Sequence, residues 1–134
     1  MPGSMFSHVM VGARDLEAAA RFYDAVLLPL GLERGPDAEA GPKGICYRQP
    51  GSRHPTFDVQ EPFDGSPPSP GNGCMVAFMA PSRAAVNTAH AAALAHGGTD
   101  EGAPGLRERY APDYYGAYVR DPEGNKLHFV HREG

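Results

Sequence analysis

The sequence predicts an α+β domain made of two βαβββ copies that together form a concave mixed sheet. Three observations carry this expectation. Helix-capping residues recur at a fixed spacing, strand-like and helix-like periodicities alternate in the same order twice, and a stretch dense in Pro, Gly and Ser divides the chain. An offset of 67 residues lays Asp15 on Ser82, His8 on Met75, Phe22 on Ala89 and Gly31 on Gly98. The domain is expected over residues 6–131, with the first copy at 6–60, a linker at 61–72 and the second copy at 73–131. Two copies facing each other across a pseudo-two-fold axis enclose a cavity. The strand positions that look into it are therefore the candidate site positions.

Each element has a local reason. Residues 6–12 alternate, with Val9 and Val11 on one face and Phe6, His8 and Met10 on the other. Asp15 is placed to cap a helix whose apolar positions Leu16, Ala19, Ala20, Tyr23, Val26, Leu27 and Leu30 follow helical spacing. Pro29 ends or bends that helix, and Gly31 closes it. Short strands are expected at 32–34, 43–48 and 55–60. In the second copy, residues 73–80 alternate Val76 and Phe78 against Met75, Ala77 and Met79. Ser82 caps an Ala-rich helix carrying Val86, Ala89, Ala93 and Leu94, which Gly97 and Gly98 stop. Residues 99–105 read as loop, followed by strands at 106–110, 114–120 and 126–131. The run Asp121-Pro122-Glu123-Gly124-Asn125 supplies the last turn. Val9, Val11, Val76, Phe78, Leu127 and Phe129 are assigned to the helix-facing side, which leaves the opposite faces to line the concave side.

Composition narrows the function classes. A chain of 134 residues suits one domain and buries roughly two-thirds of its unfolded surface. Cys46 and Cys74 lie outside any CxxC pair, so a reduced, cytoplasmic protein is expected. No apolar run approaches the roughly 18 residues of a membrane span. Residues 1–4 read as an expression remnant, with Met5 a candidate start. The net charge of −4 and the absence of Lys or Arg runs argue against nucleic acid as a partner. No GxSxG, P-loop or GxGxxG motif occurs, and nothing points to covalent catalysis.

The opening Phe6-Ser7-His8-Val9-Met10-Val11 through Phe22-Tyr23, then Pro29-Leu30-Gly31-Leu32, and the closing Val119-Arg120-Asp121-Pro122-Glu123-Gly124-Asn125-Lys126-Leu127, resemble the vicinal oxygen chelate superfamily. That group includes glyoxalase I, fosfomycin-resistance enzymes, extradiol dioxygenases and bleomycin-resistance proteins. The resemblance covers nearly the whole chain, residues 6–131. It implies that the first and last strands of each copy supply ligands to a divalent ion, on which two neighbouring substrate oxygens chelate. It also implies a homodimer.

Carried over by position, the four candidate ligand places are His8, Asp58, Met75 and His128. His8 matches the family's first-strand histidine. Met75 and His128 depart from the pattern, the latter where the closing motif usually carries Glu. A thioether is a poor donor to Mn, Fe, Ni or Zn, so Met75 reads as apolar cavity wall. His8, Asp58 and His128 then make a set of two imidazoles and one carboxylate with open positions, which suits Fe(II) or Zn. His128 and Asp58 are also the candidate catalytic bases. Arg48, Met75, Tyr118 and Arg120 are candidate substrate-binding residues, although pairing with Asp121 or Glu123 is the commoner fate for Arg120. Tyr110, Tyr114 and Tyr115 flank a loop at the cavity mouth, as lid or rim. His54, His90 and His96 read as solvated surface histidines.

Two functions stay open. One is a glyoxalase-like lyase, isomerase or oxygenase in which the divalent ion acts on a small oxygenated metabolite. The other is a metal-free protein that binds a small molecule, as bleomycin-resistance members do. In the second case the two histidines hydrogen-bond to each other, to water or to Tyr118.

Overall fold

The computed structural model describes residues 5–36 and 42–133. The suspected remnant, residues 1–4, lies outside them. Strand β1 (His8–Gly12) leads into helix α1 (Leu16–Leu27), and β2 (Glu33–Arg34), β3 (Gly44–Arg48) and β4 (Thr56–Gln60) complete the first copy. The second copy runs β5 (Val76–Met79), α2 (Arg83–Ala95), β6 (Thr99–Leu106), β7 (Tyr115–Arg120) and β8 (Lys126–His131). Each copy folds its own four-stranded sheet, ordered β1-β4-β3-β2 and β5-β8-β7-β6. The β1–β4 and β5–β8 pairs are parallel and the other pairs antiparallel.

The capping signals act as read. Asp15 accepts a hydrogen bond from the Ala18 amide at 3.1 Å, and Ser82 Oγ accepts one from Ala85 at 3.0 Å. Pro29 diverts α1 into a single 3₁₀ turn at Leu28–Leu30, and Gly31 ends it at φ 86°, where a side chain would be strained. The face assignments also hold. Leu127, Phe129, Phe57 and Val59 are buried on the helix-facing side, where Val9, Val11, Val76 and Phe78 pack against the same core. Leu94 of α2 is the exception among the apolar helix residues named above, for it is exposed.

Three expectations need correction. Residues 99–105 are not loop: with Leu106 they form β6, an irregular edge strand whose pairing with β7 shifts register at Asp100/Gly102 and Gly102/Gly105. Its Gly- and Pro-containing sequence lacks the β-branched pattern that marks a strand, and main-chain pairing with β7 creates it. The strand expected at 106–110 accordingly ends at Leu106 and gives way to a turn closed by Tyr110 N–H to the Arg107 carbonyl. The third correction concerns which strand faces line the cavity between the copies. β1 and β5 do not pair, so there are two sheets. Their helix-facing sides merge into one core, with Phe57 of β4 against Phe78 of β5 at 5.1 Å between ring centroids. The site faces of both sheets therefore look away from this shared core.

The burial pattern generates a stability prediction. Phe129 is fully buried, whereas Met75 is 46% exposed. Phe129→Ala should cost roughly 3–5 kcal/mol of unfolding free energy, and Met75→Ala under about 1 kcal/mol. Equal costs in chemical denaturation would mean that the strand faces are reversed.

Candidate functional site

The equivalence of Asp58 and His128 is visible in the register. Asp58 of β4 pairs with Met10 of β1, and His128 of β8 pairs with Ala77 of β5, ten and seventy-seven being related by the repeat offset. His8 and Asp58 share the outward face of the first sheet, two positions apart in register. His8 is exposed, with its Nδ1 at 2.9 Å from Ser7 Oγ. His128 lies on the second sheet. Among the described residues, no group of three or more His, Cys, Asp or Glu side chains is placed to hold a metal ion.

His128 is the most constrained of the candidates, at 1% exposure. Its Nδ1 is 2.9 Å from the Ala117 carbonyl oxygen, and its Nε2 is 2.7 Å from the Tyr114 hydroxyl. A carbonyl oxygen only accepts, so Nδ1 carries a proton and donates it. In the neutral ring Nε2 then accepts from Tyr114. Burial depresses the pKa of His128 below the ordinary 6.5, with Arg107 and Lys126 adding repulsion against the bond to Ala117 that favours protonation. The ring lies nearly parallel to Tyr118, centroids 4.0 Å apart, and to Tyr114 at 5.7 Å. Gly116 makes this fit possible: a Cβ there would meet His128 Cε1 at 2.6 Å.

Metal binding requires a free imidazole lone pair. On His128 one nitrogen carries the proton and the other holds Tyr114, so the ring as placed does not fit the role of a ligand. Within one chain the three proposed ligands are also not assembled.

The remaining candidates separate. Tyr118 joins His128 directly. Met75 lies outside β5 on a surface cleft shared with Arg120 and Lys126. Arg120 donates to Glu101 at 2.8 Å and to the Gly124 carbonyl at 2.9 Å, so its partner is neither Asp121 nor Glu123. Arg48 lines a cleft of about 610 Å³ between the copies, walled by Val9, Leu30, Phe57, Val76 and Phe78, and its Nε is buried without a hydrogen-bond partner among the described residues. His8, Asp58 and His128 do not line that cleft.

Among the histidines read as surface, His90 is buried and bonds Asp100 at 2.9 Å. Its place on the apolar stripe of α2, three residues before Ala93, was the available signal. Tyr115 turns toward α2, where its hydroxyl donates to Asn87 at 2.7 Å. Tyr114, expected at the cavity mouth as lid or rim, is buried against His128. It stands one residue before β7, and no periodicity reveals that its hydroxyl reaches the buried imidazole.

The state of His128 predicts a pH dependence. The unfolded ring takes up a proton near 6.5 and the folded ring resists until lower pH, so the unfolded state binds more protons in that window. Its contribution to stability is full above 6.5 and falls as pH drops below it, with a slope of at most about 1.4 kcal/mol per pH unit. His128→Gln should be less stable at pH 7.5 yet lose less between pH 7 and 5, as read by denaturant melts. Parallel profiles would show that His128 titrates normally.

The family model for the Glyoxalase/Bleomycin resistance protein/Dioxygenase superfamily matches residues 5–129. Among solved structures, a glyoxalase/bleomycin resistance protein from Albidiferax ferrireducens T118 is 44% identical with a TM-score of 0.81, the match covering 97% of this chain and all of that one. A lactoylglutathione lyase from Agrobacterium tumefaciens shares the fold at 21% identity and a TM-score of 0.63, covering 97% of this chain and 95% of that one. A glyoxalase I mutant from Zea mays does so at 18% identity and a TM-score of 0.71, covering 92% of this chain and 44% of that one. No curated protein matches. With the repeated βαβββ units and the closing Asp121-Pro122-Glu123-Gly124-Asn125 turn in place, these matches make the chain a member of the Glyoxalase/Bleomycin resistance protein/Dioxygenase superfamily.

Proposed function

We propose that the protein is a cytoplasmic, homodimeric small-molecule-binding protein of the bleomycin-resistance type, working without a resident metal ion. The observation that carries this reading is His128: both its nitrogens are committed, to Ala117 and to Tyr114, in a buried neutral ring. The usual carboxylate of the closing motif is thereby replaced by a group whose lone pair is already in use. The two free cysteines accord with a reducing compartment. The competing reading, a divalent-metal-assisted lyase, isomerase or oxygenase, draws on His8 and Asp58 sharing an open face. It requires a second copy to bring His128 to them, and Tyr114 to release the ring.

Calorimetric titration with Zn²⁺ and Fe²⁺ near neutral pH separates the two. The natural protein should show no binding that His8→Ala, Asp58→Asn or His128→Ala abolishes. The double change Met75→His with His128→Glu should bind a divalent ion more tightly than the natural chain. Stoichiometric binding by the natural protein, lost in His8→Ala, would restore the metalloenzyme reading.

Pairing has a physical motive. β1 and β5 stand at sheet edges, and Phe6, Met10, Met75 and Met79, on or beside them, are exposed apolar side chains. Light scattering at micromolar concentration should give the mass of a dimer, and Met79→Glu should shift it toward monomer. A monomer at all concentrations would remove the dimer from the proposal.

A further inference from the structure

We infer that the ligand is a planar aromatic anion, a carboxylate or sulfonate on a fused ring, held by an aromatic and cationic cluster on the outward face of the second sheet. This rests on the small-molecule-binding reading and gives it a substrate class. The rings are contiguous. Tyr118 stacks on His128 at 4.0 Å, Tyr114 lies nearly parallel to His128, and Tyr110 sits 5.0 Å from Tyr114 with 54% of its surface exposed.

Cations surround these rings. Arg107 and Lys126 lie 5.7 and 5.3 Å from the centroid of Tyr118, Arg109 lies 5.1 Å from that of Tyr110, and Arg132 lies 5.4 Å from that of Tyr114. The ion pairs found among the described residues are Arg34–Asp24, His90–Asp100 and Arg120–Glu101. None of the four cations is in them. Arg107 is instead oriented by the carbonyls of Gly105 and Ala103, at 2.9 and 2.8 Å, which fixes its guanidinium without neutralising it.

A chain of net charge −4 thus places four positive groups, none in an ion pair among the described residues, around one set of rings. Cations held over rings and outside ion pairs are a recognition feature for an anion, even with Glu108, Asp113 and Glu133 in the same segments, and aromatic rings between the cations favour a flat one. The Tyr110 hydroxyl reports the same field: its hydrogen bond and charge interaction with Arg109 hold its pKa below the ordinary 10.0. His128 contributes as a rigid, uncharged floor. A cationic drug is disfavoured here by like charge, which separates this site from one built for a basic antibiotic.

The test uses the full chain and three probes of one shape: 2-naphthoate, 2-naphthylmethanol and 2-naphthylmethylammonium, titrated by calorimetry near neutral pH. Naphthoate should bind at least about tenfold tighter than the other two, with the preference shrinking at high salt. Lys126→Gln and Arg107→Gln should each weaken naphthoate about fivefold or more and weaken naphthylmethanol less, so that the ratio between the two probes falls. Tyr110→Ala should weaken naphthoate and naphthylmethanol alike. Circular dichroism and thermal melts matching the natural protein keep the variants interpretable, and Lys126→Gln carries the test if Arg107→Gln misfolds. Equal binding of the neutral and charged probes, or tighter binding of the ammonium, would overturn the anion assignment while sparing the small-molecule-binding reading. Failure of all three probes would overturn the aromatic-anion assignment, while the metal titration tests the small-molecule-binding reading separately. Preferential binding of a single-stranded oligothymidylate over naphthoate would reassign the cluster to nucleic acid.

Discussion

The carboxylate of Asp121 is the constraint on which the arrangement of the two copies depends. It is buried at the β7–β8 turn, and its oxygens accept from the Glu123 and Asn125 amides, from Asn125 Nδ2 and from the Tyr23 hydroxyl of α1. A buried carboxylate is tolerated only when its lone pairs are filled, and here the first copy supplies one of the donors. The same turn reaches across twice more. Asn125 donates to the Gly12 carbonyl at the end of β1, and the Glu123 carboxylate accepts from the amides of Arg14 and Asp15 just ahead of α1. Tyr23 answers in kind, since burial and the charge of Asp121 push its pKa well above 10.0 and keep it a donor. The closing motif is therefore an interlock between copies as much as a turn.

That interlock explains why the site faces outward. With the turn of the second sheet tied to the start of α1, the two helices pack together and the helix-facing sides of both sheets share one core. The opposite face of the first sheet carries the exposed His8 and Met10, whereas on the second sheet Tyr114 and Tyr118 cover His128. Exposed apolar side chains, Phe6, Met10, Met75 and Met79, lie on or beside the edge strands β1 and β5.

Much of this was legible in the sequence, because the repeat constrained it. Asp15 and Ser82 mark the two helix starts, and the faces assigned to β1, β5 and β8 are the ones observed. The equivalence of Asp58 and His128 survives in the register. What escaped was whatever side-chain pattern does not encode. β6 is a strand by virtue of the main chain of β7, since Gly102, Pro104 and Gly105 carry no strand preference of their own. His90 is buried through a bond to Asp100, ten residues away on another element. Arg120 chose Glu101 on the neighbouring strand over the acids beside it in sequence. Each is a partnership set by tertiary placement.

His128 shows how a substitution at one position can be absorbed by its neighbours. An imidazole is larger and less tolerant of burial than a carboxylate that coordinates an ion. It survives at this depth because three residues on or beside β7 accommodate it: Gly116 leaves the space, Ala117 takes the Nδ1 proton, and Tyr118 covers the face. Tyr114, immediately before the strand, fills the last lone pair. A fully satisfied buried polar group is rigid, because any rotation leaves a donor or acceptor unpaired. The place where the closing motif usually carries Glu thus holds an imidazole packed between Tyr118 and Tyr114, with both its nitrogens hydrogen-bonded.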